Sequence, residues 1–295
     1  MDDDLQEIRD NFHVGNFQKV MGLCESASNL SDLARSECDA TFARACLCLQ
    51  LIDKLKAMTS SECPGQKASA LTAIISKTKN ETQKGQAKER LVSLAKETQD
   101  LTSNILAACM YAKDGSWQEA ATLTQAHPTI EMQALRTFFL LSCNQVEQAE
   151  KALQSLTGAA DDSAAFRLAQ AAVHIATGNA EEAYLIFCDL ATQFPAVDGE
   201  DNSAGSLLLL TGKAVANMQR GMFAEAVEDL QRAIQLAPND PDVLVNLCCC
   251  ATHLRKNDDF QTNLKKLEQV EPTHPYLVKT QAISTAFQRF KASAT

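Results

Sequence analysis

Residues 221–238 read Gly-Met-Phe-Ala-Glu-Ala-Val-Glu-Asp-Leu-Gln-Arg-Ala-Ile-Gln-Leu-Ala-Pro, and their spacing decides the fold. Gly221, Phe223, Ala226, Leu230, Ala233 and Pro238 stand at offsets 0, 2, 5, 9, 12 and 17. Gly221 suits a tight turn between antiparallel helices, where a side chain at positive φ would be strained. Ala226 and Ala233 are small enough to let paired helices approach, and Phe223 and Leu230 fill the space between them. Pro238 ends the second helix, because it lacks an N–H and clashes with the preceding turn.

The same punctuation recurs along the chain. Gly178, Ala180, Ala183, Phe187, Leu190 and Pro195 repeat the offsets, and Ala149 to Ala183 and Pro238 to Pro272 each span 34 residues. Gly115, Trp117 and Ala120 make another copy, as do Gly15, Phe17 and Val20 at the start. This is the pattern of tetratricopeptide repeats, so the expected fold is all-α: a right-handed solenoid of antiparallel helix pairs. Ala183 to Ala226 spans 43 residues, and the surplus falls in the polar stretch 196–204, which reads as an inserted loop. The expected organisation is N-terminal helix pairs over 1–58 and an irregular helical segment over 59–100. Clearer repeats follow over 101–272, then a capping helix over 273–295. Within this scheme Asp32 to Met58 is one long helix needing a break, and a polar interval separates helices at 68–76 and 90–98.

Composition narrows the function. With 45% hydrophobic and only 5% aromatic residues, the 295-residue chain suits helices better than sheets. Its net charge of −10 argues against nucleic acid and anionic membrane as direct partners, since both reward clustered cations. The densest basic stretch, 77–90, reads as a solvated helix end and loop. Met1-Asp-Asp-Asp4 is the reverse of a signal peptide's basic start, and eleven cysteines at mostly apolar positions fit a reducing compartment; a cytosolic protein is expected.

No catalytic, cofactor or metal site is expected. Cys249 and Cys250 lie four and three residues before His253, but no second ligand pair accompanies them, and the cluster reads as core. Gly212-Lys213 lacks the glycine-rich loop of a phosphate site. Trp117, two residues after a turn glycine, reads as packing. What remains is the concave surface, lined in such repeats by first-helix positions 2, 5, 9, 12 and 13 when the turn residue is 15. That register selects Ile105, Cys109 and Ala112, then Phe138 and Leu141, then Leu168, Ala172 and Ile175, then Leu208, Val215 and Met218. The set is apolar. It either packs between repeats or receives a permanently bound partner segment. A chaperone-tail clamp would need Lys, Arg or Asn there, and only Lys113 qualifies, so a chaperone adaptor or scaffold is the runner-up reading.

Several stretches go beyond generic repeats. Leu5-x-x-Ile8-Arg9-Asp10-x-Phe12-x-x-Gly15-Asn16-Phe17-Gln18, Ala183-Tyr184-x-Ile186-Phe187 and Leu207-Leu-Leu-Leu-x-Gly212-x-Ala214 resemble the coatomer epsilon-subunit family. So does Leu244-Val-Asn-Leu247 with His253-Leu254, continuing to His274-Pro275 and Phe287-x-Arg289. The resemblance implies a non-enzymatic vesicle-coat component that binds the C-terminal region of the alpha subunit and serves retrograde Golgi-to-ER and intra-Golgi traffic. It implies contact with the other coat subunits only indirectly, and with Golgi membranes and vesicles only through the coat.

Overall fold

The computed structural model describes residues 2–156, 162–195 and 205–294, and the expected loop at 196–204 lies outside them. Among the described residues the chain is helical, without strands. First and second helices alternate: α1 (Asp2–His13) with α2 (Phe17–Ser26), then α3 (Asp32–Cys48) with the short α4 (Ile52–Ala57). Next come α5 (Pro64–Lys77) with α6 (Glu81–Thr98), α7 (Leu101–Lys113) with α8 (Trp117–Ala126), and α9 (Ile130–Ser142) with α10 (Val146–Gln154). The stack continues with α11 (Ala164–Thr177) and α12 (Ala180–Gln193), α13 (Leu207–Gln219) and α14 (Phe223–Leu236), α15 (Pro241–His253) and α16 (Asn257–Val270), then α17 (Pro275–Ala294).

One turn is used again and again. Gly15, Gly115, Gly178 and Gly221 have φ between 79° and 89°, and Gln50, Asn144 and Arg255 take the same left-handed position. At each, the following N–H reaches back to the carbonyl five residues earlier, as Met222 N–H does to Asn217 at 2.9 Å and Asn179 N–H to His174 at 2.8 Å. These bonds satisfy carbonyls that the helix end would leave orphaned. The sequence marks this turn where it is glycine, and passes over Gln50. That is why 32–58 reads as one helix although it breaks at Gln50.

The 59–100 segment is more regular than its composition suggests. Helix α6 begins at Glu81, capped by the Asn80 side chain on the Thr82 and Gln83 N–H groups, so the polar interval is mostly helix. Because α4 is short, α3 and α5 meet directly. The contact needs small residues: a Cβ on Gly65 would stand 2.4 Å from Ala40 Cβ.

Core clusters run along the stack, each joining consecutive helices, with one exception. Val14, fully buried in the first turn, packs with Ala164, Leu168, Phe187 and Leu209 of α11–α13. Its carbonyl accepts a hydrogen bond from Ser206 Oγ, whose oxygen also accepts the Leu209 N–H at the start of α13. Ser163 makes no side-chain cap for α11, and Asp10 of α1 supplies one instead, accepting the Ala164 N–H at 2.9 Å. A carboxylate at a helix N-terminus answers both the orphan N–H and the helix dipole. The first helix pair therefore closes onto the sixth and seventh.

A second seam ties α1 and α3 to α9. Glu131, in the first turn of α9, pairs with Arg44 of α3 and lies 3.8 Å from His13 Nε2 of α1. The Arg44 guanidinium also stacks 4.2 Å from the Phe12 ring centroid. Nearby, Arg9 binds Glu37 through two bonds of 2.5 and 2.8 Å. Burial holds the His13 imidazole below its ordinary range despite Glu131, so it is neutral at pH 7. Burial alone would raise the Glu131 carboxyl, but its basic neighbours together, Arg44 foremost, outweigh burial and leave the group below the usual carboxylate range.

Glycine packing gives a first prediction. A Cβ on Gly212 would fall 2.4 Å from the Phe187 ring, whereas nothing lies within 4 Å of one on Gly22, inside the exposed surface of α2. Gly212→Ala should therefore destabilise by about 1–3 kcal/mol, and Gly22→Ala should stabilise by roughly 0.5–1 kcal/mol. Urea midpoints moving the same way for both would contradict this packing.

The charged seam gives a second. His13 and Glu131 both bind protons more readily in the unfolded chain, so each makes stability rise with pH. The His13 contribution declines as pH falls from the unfolded value near about 6.5 towards its lowered folded value. The Glu131 contribution is full above about 4.3 and is lost as pH falls through its depressed folded value. Melting temperature should drop in two stages on acidification, and His13→Gln should flatten the upper stage alone. An unchanged profile in that variant would show that His13 is not the titrating group.

Candidate partner-binding surface

The concave register places the predicted residues in three different environments. Ile105 and Leu168 are buried, at 4% and 8% exposure, and belong to the core. Leu141, Ile175, Val215 and Met218 are half-buried. Leu141 packs on the α9–α11 cluster, Ile175 on the α11–α13 cluster and Met218 on the α13–α15 cluster. The Ile175 carbonyl accepts a hydrogen bond from Gln219 of α13 at 2.8 Å, which knits the two repeats. Phe138 and Leu208 are exposed, at 39% and 43%. Of the smaller residues, Cys109 is exposed and Ala112 and Ala172 are half-buried.

The difference has a structural cause. The first turn packs through Val14 into the same core as Leu168, so part of the concave face is occupied by the chain itself. Packing between repeats takes part of the stripe, and Phe138 and Leu208 are its large apolar members left uncovered. Leu208 belongs to the leucine run 207–210, of which Leu209 and Leu210 alone are fully buried.

The same register extended to the first two pairs and to the start of α9 gives the charged residues that sequence reasoning missed. Counting back from Gly15, positions 9, 12 and 13 are Arg9, Phe12 and His13; from Gln50, positions 2 and 9 are Glu37 and Arg44; from Asn144, position 2 is Glu131. These residues line a polar inner cavity of about 300 Å³ together with His127 and Asp100. The concave surface thus has a polar, self-paired half and an apolar, partly open half.

The chemistry-bearing candidates have structural roles. Cys248 and Cys250 are buried in α15, and burial pushes their thiols up to about 11. The His253 ring stacks on Phe223 at 4.0 Å between centroids. Among the described residues no cluster of three or more His, Cys, Asp or Glu could hold a metal. Gly212 lies inside α13, and Lys213 pairs with buried Asp229 at 3.3 Å. Trp117 meets Phe139 edge-on at 6.1 Å.

At the far end, α17 does not fold down as a cap. Among residues 275–291 of the helix only Tyr276 and Leu277 are half-buried, whereas Val278, Ile283 and Phe287 are 55%, 59% and 70% exposed. The helix signal in its sequence is real. Its apolar residues face solvent instead of the last helix pair.

Comparisons with known proteins place this architecture. Among solved structures, a chain of the APC/C hetero-tetramer Cut9–Hcn1 superposes with a TM-score of 0.63 at 14% identity, covering 91% of this chain and 52% of that one. A tetratricopeptide repeat protein from Parabacteroides merdae superposes at 0.56 and 14% identity, covering 90% and 96%. At these identities the likeness is one of fold. Sequence goes further. Coatomer subunit epsilon-2 of Arabidopsis thaliana is 29% identical, covering 98% of this chain and 95% of the relative. Coatomer subunit epsilon of Caenorhabditis elegans is 23% identical, covering 98% of both. The profile of the coatomer epsilon subunit matches residues 1–295 from end to end, and the chain belongs to that family.

Proposed function

We propose that this coatomer component acts by binding the C-terminal region of the coatomer alpha subunit, and thereby supports retrograde Golgi-to-ER and intra-Golgi vesicle transport. The carrying observation is the family match over the whole chain. The surface supports the same reading. Phe138 on α9 and Leu208 on α13 are large, apolar and uncovered, and exposed apolar residues on the concave register gain by being desolvated against a partner. No helix among the described residues is long and apolar enough to cross a membrane. On this reading the chain reaches the Golgi and its vesicles from the cytoplasm, through the assembled coat.

Co-expression with the alpha subunit's C-terminal region should give a single co-eluting species with a raised melting temperature, since a ligand that binds only the folded state stabilises it. Phe138→Asp and Leu208→Asp should each weaken that binding by at least about 2 kcal/mol, the range of interface anchors. Glu228→Gln, on the exposed face of α14, should change it by less than about 0.5 kcal/mol. Glu181 is a poor control because it already binds Arg220 at 2.6 Å. Circular dichroism must show intact helicity in each variant. Separate elution of the two wild-type chains would defeat the proposal, and normal binding by folded Phe138→Asp and Leu208→Asp chains would move the site elsewhere.

A further inference from the structure

Helix α17 stands in the repeat register. Pro275 follows Pro241 by 34 residues, and each opens a helix. The concave positions of the preceding repeats therefore project onto it. Leu208 and Asp242 correspond to Tyr276, Val215 and Cys249 to Ile283, and His253 to Phe287. Tyr276, Thr280, Ile283, Phe287 and Phe290 alternate by four and three residues, which gathers them into one seam along the helix. Ile283 and Phe287, at its centre, are 59% and 70% exposed.

The width of this seam discriminates between occupants. The seam spans about 80° of the helix surface, nearer the narrow a/d geometry by which one helix packs along another than a broad apolar face. A helix lying in a lipid interface instead carries a broad apolar face opposite a strongly charged one, and here the opposite face is Val278, Gln281, Thr285 and Gln288, with Arg289 its one charge.

Charge then selects the chemistry of the partner. From Pro275 to Ala294 the helix has Lys279, Arg289 and Lys291 and no acidic residue, on a chain of net charge −10. Lys279 falls on a flank of the seam, where a partner helix sets its own flanking charges. A second α17 would place cation against cation, which such pairing penalises. Carboxylates on the partner would be matched, and this molecule already joins helices that way. Lys213 of α13 meets Asp229 of α14 at 3.3 Å, and Arg167 of α11 meets Asp189 of α12 at 2.5 Å.

We propose that α17 is a docking helix whose Tyr276–Ile283–Phe287 seam receives an amphipathic, acid-flanked helix from another coat subunit, extending the concave binding surface beyond α15. The proposal rests on the reading of the chain as a coat subunit that binds through its concave side, and it adds a second contact region with its own chemistry.

The test is site-specific photocrosslinking in the full chain, recovered from cells within the intact coat complex. Benzoylphenylalanine replaces Phe287 in one sample and Phe138 in another, and crosslinked peptides are sequenced by mass spectrometry. Position 287 should capture a segment of another subunit whose apolar residues repeat at helical spacing with Asp or Glu on the flanks. Capture of lipid, of a second copy, of this chain's own residues, or of nothing would overturn the docking helix, whatever position 138 gives. A partner captured at 138 but not at 287 leaves the proposed function standing. A partner captured at 287 but not at 138 supports the docking helix and counts against the groove. In parallel, Ile283→Ser combined with Phe287→Ser should lower recovery of the captured subunit about tenfold or more, as expected when two apolar anchors are lost. Its melting temperature should stay unchanged, because both side chains are exposed in the free chain. Normal recovery in that folded variant would also overturn the proposal.

Discussion

The structure depends on the grip of the first turn on the N-termini of α11 and α13. A solenoid is quasi-one-dimensional: each pair touches its neighbours, and small rotations per repeat set the curvature. Nothing in such a stack fixes the distance between far helices. Here Asp10 bonds the start of α11 across 154 residues of sequence, and Ser206 at the start of α13 bonds the Val14 carbonyl across 192. Closing so long a loop costs little more entropy than closing a short one, because the cost grows only with the logarithm of length. Burial of Val14 among Leu168, Phe187 and Leu209 and a carboxylate on a helix N-terminus are set against that cost. The result is a curvature fixed by contact as well as by the sum of many small packing angles.

Closure also explains why part of the concave face is ionic. Bringing α1 and α3 against α9 removes Arg44, His13 and Glu131 from water, with side-chain exposures between 12% and 19%. An uncompensated charge there would be expensive, and the arrangement leaves none: Arg44 meets Glu131 and the Phe12 face, and His13 stays neutral. A pair of this kind contributes little net stability over apolar packing, yet breaking it by removing one partner costs several kcal/mol, about 3–5 in comparable sites. Its effect is to fix register between α3 and α9.

The repeats were legible because their signals are local. Gly178 and Gly221 need left-handed backbone, Ala183 and Ala226 need to be small, and each requirement is written in the residue itself. Where the turn is made by Gln50, the sequence has no such mark, and the break in 32–58 shows only in the backbone. The caps of α6 and α11 show the same contrast. Asn80 caps from the adjacent position, and its signal was available in the polar interval. Asp10 caps from ten helices earlier, and no spacing rule reaches that far. The Asp10, Gly15 and Asn16 of the family-like stretch have a physical meaning once the closure is seen. Gly15 turns beside Ser206 and Leu208, and Asn16 Nδ2 bonds Asn11 at 3.2 Å. For the concave surface, the register was correct while the environment was not readable. Ile105 and Phe138 both fall on the concave register, yet one is core and the other exposed, because packing of neighbouring helices decides which concave residues remain uncovered. The status of α17 was hidden for a related reason: an apolar seam reads as a packing face whether or not anything in the same chain packs on it.

One set of repeat positions thus carries two chemistries, and their energetics separate them. The charged residues on α1, α3 and the start of α9 are already paired, so lending one to a partner would strand its counterpart in a dry seam. The apolar residues at the same positions on α9 and α13 have no such commitment, and each gains by losing water whoever supplies the cover. Internal ionic closure and external apolar binding therefore do not compete for the same groups. Fixing the first holds α9, α11 and α13 at set distances, so the second is presented without further ordering, and a partner meets a surface whose conformational cost was met when the chain folded.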